Sequence, residues 1–301
     1  MQTRVYRGHD LMISEGVDSV AHVVTADTRK PLAAFAAASS SSLRYNSGSY
    51  IDADGFPFLA GLAMGHSFSA SRLILGIFVE TGESNYDSHN TFNHAITVRG
   101  SGDTFYTGGG ILGRYALNSG LYMDASARAG RAKMDFSTGD IRYNFNRVNA
   151  RFDSASRYYG AHVGVGFARA LDDRTQLDVA GRLIWSRQVA DTVQVDIDRM
   201  EFDAVNSLRS TLGGRFSYQV NEVFSPYAGL WWEHEFDVEA GSRVNGVRVD
   251  APDLKGDTGI VELGLRVTPE SLKGFSLDVG IKGHTGKREG VAGNLNMKWM
   301  F

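Results

Sequence analysis

Cysteine is missing from all 301 residues, which excludes disulfides and a thiolate metal site. Proline is scarce, with 5 residues, whereas glycine reaches 35, above an ordinary share of about 7%. No stretch nears the roughly 18 consecutive apolar residues of a membrane helix, and this excludes a helical membrane protein. It does not exclude the membrane. A transmembrane barrel spreads its apolar band over alternate residues, so its mean hydropathy looks soluble. A basic surplus is lacking too: Lys and Arg number 31 against 34 Asp and Glu, a net charge of -3, which argues against a nucleic-acid partner. Met1 to His9 has no signal-peptide apolar core, so a leader would lie upstream in a longer precursor, or the chain is a piece excised from one.

What is present organises itself around the last stretch, Val291 to Phe301. Successive side chains of an extended strand point to opposite faces, so Leu295, Met297, Trp299 and Phe301 share one side while Asn294, Asn296 and Lys298 share the other. The same alternation recurs upstream. Leu177, Val179, Leu183 and Trp185 alternate with Asp178, Arg182 and Ser186; Val261, Leu263, Leu265 and Val267 alternate with Glu262, Gly264 and Arg266. About 12 strands follow: Ala33 to Ser47, Pro57 to Ser67, Arg72 to Thr81, Thr104 to Ala116, Leu121 to Ala132, Arg157 to Ala170, Arg174 to Gln188, Asn206 to Tyr218, Pro226 to Asp237, Thr258 to Val267, Phe275 to Thr285 and Val291 to Phe301.

One segment departs from period two. Between Leu11 and Arg29, Ile13, Val17, Val20 and Val24 recur at helical spacing while Asp18 and His22 face elsewhere, and Pro31 ends the helix. At about 1.5 Å per residue it spans roughly 28 Å, close to the roughly 25 Å apolar height of an outer-membrane barrel. The connections sort into two classes. Ser69 to Ala70, Asn118 to Gly120, Asp172 to Asp173, Asn221 to Phe224 and Pro269 to Lys273 are short turns, alternating with long polar segments at Gly82 to Asp103, Lys133 to Ser156, Val189 to Val205 and Val238 to Asp257.

The polar alternates decide the architecture. Glu80, Asp124, Arg128, Asp178, Arg182, Arg209, Arg215, Glu233, Glu262, Arg266, Asp278 and Lys282 all fall mid-strand on one face. In a soluble sheet that face would meet bulk water, but the opposite apolar face would then need a covering layer, and one helix cannot supply it. Closing the sheet into a cylinder, apolar face in lipid and these residues lining a wet lumen, satisfies every strand edge. About 8 strands are filled by side chains and 16 to 18 leave an open channel, so about 12 admit one helix.

Other motifs carry little. Gly108, Gly110 and Gly113 lie in a strand pattern rather than before a helix, and His89 and His94 have no third ligand at metal spacing, so no cofactor or metal is assigned. There is no Gly-x-Ser-x-Gly elbow and Ser, His and Asp are scattered, so no enzymatic activity is expected. Tyr45, Tyr50, Tyr106, Tyr115, Tyr122, Tyr158, Trp185, Tyr227, Trp231, Trp232 and Trp299 are candidates for interfacial girdles.

The helix before the first strand, Tyr50-Ile-Asp-Ala-Asp-Gly55 leading into Ala60-Gly-Leu-Ala-Met-Gly65, Glu80-Thr-Gly82, Ser207-Leu-Arg209 with Gly214-Arg215, Pro226-Tyr-Ala-Gly229 with Trp232-Glu-His-Glu-Phe236, and Gly286-Lys-Arg-Glu-Gly-Val-Ala-Gly293 stand in a specific order. In that order the chain resembles the translocator domain of a Gram-negative autotransporter. The resemblance implies an all-β outer-membrane protein, a barrel of about 12 antiparallel transmembrane strands (residues 32–301) behind a segment (residues 1–31) whose helix sits inside the pore. It implies secretion of an N-terminal passenger, short turns in the periplasm and long loops outside the cell. It further implies that Leu295, Met297, Trp299 and Phe301 are read by the barrel-assembly machinery, and a monomer in outer-membrane lipid is expected. Some members cut themselves at an Asn-Asn pair in the pore helix; Leu11 to Arg29 contains no Asn. The alternatives are a diffusion porin and, further off, a barrel hydrolase needing a clustered acid, base and nucleophile.

Overall fold

The computed structural model describes residues 32–47, 49–90, 97–143, 148–195, 198–238, 241–249 and 254–301. The expected helix Leu11 to Arg29, with Ile13, Val17, Asp18, Val20, His22 and Val24, lies outside them, as does His94. The strands in chain order are β1 (Leu32–Asn46), β2 (Tyr50–Ser67), β3 (Ser71–Asn90), β4 (Val98–Leu117), β5 (Leu121–Tyr143), β6 (Val148–Ala170), β7 (Thr175–Gln188) and β8 (Asp191–Val195). They continue with β9 (Asp198–Phe202), β10 (Val205–Tyr218), β11 (Phe224–Val238), β12 (Ser242–Val244), β13 (Val247–Val249), β14 (Gly256–Val267), β15 (Phe275–Gly286) and β16 (Arg288–Met300).

Twelve of these form a closed antiparallel barrel in the order β1-β16-β15-β14-β11-β10-β7-β6-β5-β4-β3-β2, and β13-β12-β9-β8 form a separate four-stranded sheet. The terminal strand closes the cylinder: β16 pairs with β1 from Ala33 opposite Met300 to Tyr45 opposite Arg288, and the Phe301 N–H donates to Leu32 O at 3.0 Å. Each barrel strand therefore pairs on both sides, as a sheet in lipid requires, although β6 runs on past its β7 partner from Val148 to Arg157.

All twelve expected strands are present, but five are longer by at least about six residues, all toward the same rim. β2 begins at Tyr50 rather than Pro57, β3 runs on to Asn90, β4 begins at Val98, β5 reaches Tyr143 and β6 begins at Val148. Most of Gly82 to Asp103 and Lys133 to Ser156 is therefore strand, and the segments Val189 to Val205 and Val238 to Asp257 contain the strand pairs β8–β9 and β12–β13. Strict alternation of short and long connections also fails, because β1–β2 and β15–β16 are joined tightly at this rim.

The side chains explain the extensions. From the Asn118 to Gly120 turn, the outward residues of β5 are Leu121, Met123, Ala125, Ala127 and Ala129, and then Arg131, Lys133 and Asp135. Its inward residues are Tyr122, Asp124, Ser126 and Arg128, and then Ala132, Met134 and Phe136. β6 repeats this: Phe167, Val165, Val163 and Tyr159 point outward before Arg157, Asp153 and Arg151, while His162 and Tyr158 point inward before Phe152 and Ala150. Polarity inverts halfway along each strand. The apolar outer stretch from Leu121 to Ala129, at about 3.3 Å per residue and a tilt of about 40°, stands about 20–25 Å tall, the height of a lipid-facing band. Beyond it the barrel has the polarity of a soluble one, with a dry interior.

Candidate functional site: the barrel interior

The lumen divides into three regions. The first is a charged wall built from β3, β5, β7, β10, β11, β14, β15 and β16. Arg215 holds Glu262 at 2.7 Å and approaches Asp278 at 4.0 Å, and Arg266 reaches Asp278 at 3.3 Å. Arg209 bridges Glu235 at 3.1 Å and Glu233 at 3.6 Å, and Arg288 binds Glu233 at 2.9 Å. Arg128 pairs with Glu80 at 3.3 Å. Buried charges cost several kcal/mol each unless paired, so these pairs are what permits the face to exist. Three tyrosines brace it: Tyr158 donates to Glu80 at 2.8 Å, Tyr122 to Asp178 at 2.7 Å and Tyr227 to Asp278 at 2.6 Å. Each ring lies flat on a neighbouring strand where only glycine leaves room. A Cβ at Gly166 would overlap the Tyr122 ring, and one at Gly264 the Tyr227 ring.

The second region is an apolar sector on β1 to β4, where Phe35, Ala37, Leu59, Ala63, Ile74, Phe78 and Leu112 form one buried cluster. The third fills the long-strand mouth. Leu43, Tyr45, Ile51, Tyr86, Met134, Phe136 and Phe152 of the barrel join Val193, Val195, Met200 and Phe202 of the small sheet, with Val205 and Leu254, in a single core. Phe152 stands 5.3 Å from Phe136 and 5.6 Å from Phe202, centroid to centroid. Asp191 fixes the β8–β9 hairpin to β6 by accepting from Ser154 Oγ at 2.6 Å and the Ala155 N–H at 3.2 Å.

Of the residues expected in the lumen, Glu80, Asp124, Arg128, Arg182, Arg209, Arg215, Glu233, Glu262 and Asp278 are buried, and Asp178, Arg266 and Lys282 are half-buried. On the outer face of the terminal strand Trp299 and Phe301 are exposed, Leu295 less so, and Met297 is half-buried. The expected girdle is corrected. Tyr45, Tyr106, Tyr122, Tyr158 and Tyr227 are buried inside, and Trp231 donates to Glu262 at 3.2 Å; Tyr115, Trp185, Trp232 and Trp299 are the exposed ones. His89 stacks on Tyr50 at 4.4 Å.

Sequence reasoning also missed Glu235, on the same dyad as Glu233, and Arg288 and Arg114, on strands where it named no lumen residue, and one constellation it judged absent. Ser126 Oγ lies 2.6 Å from His162 Nδ1, and His162 Nε2 lies 2.7 Å from Asp124 Oδ1, all three buried. No local signal marks this cluster, because His162 comes from a different strand.

Residues 32–281 match the model of the autotransporter beta-domain. The chain belongs to the autotransporter β-domain family. A β-domain of this family anchors in the outer membrane and mediates secretion of an attached N-terminal passenger. The fold agrees. The β-domain of the Bordetella autotransporter BrkA superposes with a TM-score of 0.70 at 16% identity, covering 90% of this chain and 100% of that one. The translocator domain of NalP from Neisseria meningitidis gives 0.72 at 12% identity, covering 98% and 96%. The transport unit of AIDA-I from Escherichia coli gives 0.62 at 16% identity, covering 99% and 100%. No match was found among curated proteins.

Proposed function

We propose that this autotransporter β-domain is a monomer standing with its short turns in the periplasm and its long strand ends outside the cell. Residues 1–31 would precede the barrel, with Leu11 to Arg29 entering as a helix. Ile13, Val17, Val20 and Val24 would pack on the apolar sector around Phe35 and Phe78, and Asp18 and His22 would face the charged wall. Leu295, Met297, Trp299 and Phe301 form the outward face offered to the barrel-assembly machinery. Transport itself needs no chemistry on this reading: the paired charges hold an occupant and a hydrated path by hydrogen bonds.

The observation that carries the reading is the inversion of polarity along β5 and β6, which fits lipid around one half of the barrel and water around the other. Native cysteine is absent, so single thiols report position cleanly. An impermeant maleimide on intact cells is expected to label Asp87→Cys and to label Glu222→Cys only after the outer membrane is opened; the reverse pattern refutes the orientation. Deleting residues 1–29 in a Phe152→Ala background is expected to raise single-channel conductance above that of Phe152→Ala alone. Equal conductance removes the helix from the pore.

A further inference from the structure

We propose that Asp124, His162 and Ser126 form a nucleophilic relay, and that the barrel hydrolyses a peptide bond of a chain held in its lumen. The substrate rests on the translocator reading; the reactivity of Ser126 does not. Ser126 on β5 and His162 on β6 are direct partners in the antiparallel register. Asp124 is two residues from Ser126 on the same inward face, so one short backbone segment presents both acid and nucleophile to the imidazole. An ionised Asp124 requires the proton on His162 Nε2. The Nδ1 lone pair is then left to accept the Ser126 Oγ–H, at the 2.6 Å observed. That is the protonation pattern of a general base poised on a hydroxyl. The two ring nitrogens exchange their familiar duties, but such a relay is recognised by geometry and role.

A second observation on the same face supplies the missing donor. Arg128, two residues beyond Ser126, gives its Nη1 to Glu80, while its buried Nε has no hydrogen-bond partner among the described residues. The Nε–H lies over Gly160, the register partner of Arg128 and two residues from His162, where a Cβ would come within 2.6 Å of it. An unused guanidinium donor one rung from the nucleophile is placed for the negative charge that develops on a carbonyl oxygen. The outward neighbours Met123, Val163 and Val165 are exposed and apolar, so the relay faces the lumen at the depth of the lipid-facing band.

In the reaction Ser126 Oγ bonds to the scissile carbonyl carbon while its proton passes to His162 Nδ1. Asp124 stabilises the resulting imidazolium and acts as a positioning residue. The C–N bond breaks as that proton is delivered to the leaving amine, which leaves an ester on Ser126. Water, deprotonated by the same imidazole, releases the carboxylate and restores Ser126. The net change is one amide and one water to one acid and one amine.

The test uses the full chain, refolded in detergent and shown closed by its gel mobility before boiling, with a fluorophosphonate probe. Ser126 is expected to carry the adduct by peptide mass, and His162→Gln to slow labelling by at least about 10²-fold, the usual contribution of a general base. Ser126→Cys keeps the geometry and gives a single thiol in a chain that otherwise has none. Its alkylation by iodoacetamide should reach half-maximal rate well below the usual thiol range near about 8.5, whereas Ser39→Cys, at an equal 8% exposure but without an imidazole partner, should titrate at or above that range. In the precursor with its passenger attached, Ser126→Ala should abolish release of a lumen-cut fragment while surface display persists. No adduct on a closed barrel, or matching pH profiles for the two thiols, overturns the relay. Loss of display with labelling intact refutes the translocator reading and leaves the relay standing.

Discussion

Replacing Phe152 with alanine removes the ring that joins the inner wall of β6 to the small sheet, through Phe136 on one side and Phe202 on the other. Phe152 is 5% exposed, so the loss combines transfer and cavity contributions of about 3–5 kcal/mol. The β8–β9 hairpin is also held by the hydrogen bonds of Asp191 and by the rest of the mouth core, so the loss weakens the seat of the hairpin rather than the closed barrel. At about 1.4 kcal/mol per tenfold, the detached population rises by at most about 10²- to 4 × 10³-fold. Amide hydrogen exchange in detergent should show that acceleration across β8 and β9, with unchanged protection in β14, β15 and β16. Phe105→Ala is the control, because that ring is 49% exposed on the outer face and touches no part of the mouth core. Unchanged exchange in β8 and β9, or equal acceleration across the barrel, would show that the mouth core is not a separable closure.

Three further outcomes follow from the same geometry. Gly264→Val drives a side chain into the Tyr227 ring and should cost about 1–3 kcal/mol in urea unfolding, with part recovered in the Gly264→Val, Tyr227→Ala double variant; full stability of the single variant would contradict the packing. Ile77→Arg, on the outer face at 62% exposure, should cost about 2–4 kcal/mol in lipid vesicles, whereas Glu83→Arg, six residues along on the same face, should stay within about 0.5 kcal/mol; equal costs would remove the polarity boundary between them. In the β6–β7 turn, the N–H groups of Arg174 and Thr175 hold the Asp172 carboxyl below the usual carboxylate range. A depressed folded value means the stabilisation is present above the unfolded carboxylate range near about 4 and fades as pH falls through the folded value. The stability gap between wild type and Asp172→Ala should therefore close on acidification, and a gap independent of pH would refute the assignment.

The strands that sequence reasoning truncated all end where the polarity flips. Its rule was apolar outside and charged inside, and β5 obeys that rule only to Ala129 and Arg128; beyond them Arg131, Lys133, Met134 and Phe136 keep the two-residue period but exchange faces. The segment therefore resembled a polar loop. Interior tyrosines were misplaced for a related reason: an aromatic in a barrel strand suits either face, and only the glycine across the strand pair, such as Gly166 under Tyr122, decides for the inside.

Period two is a local property, and the residues alone were enough to establish strands, faces and the closing role of Val291 to Phe301. Which inward residues meet was settled only by register and closure, because Ser126 and His162 stand 36 residues apart and Glu80 and Tyr158 stand 78 apart. A shift of one residue in pairing would send each of those side chains to the opposite face. The dry mouth likewise required hairpins from two separate connections to pack on the inner wall, and no stretch of chain encodes that meeting by itself.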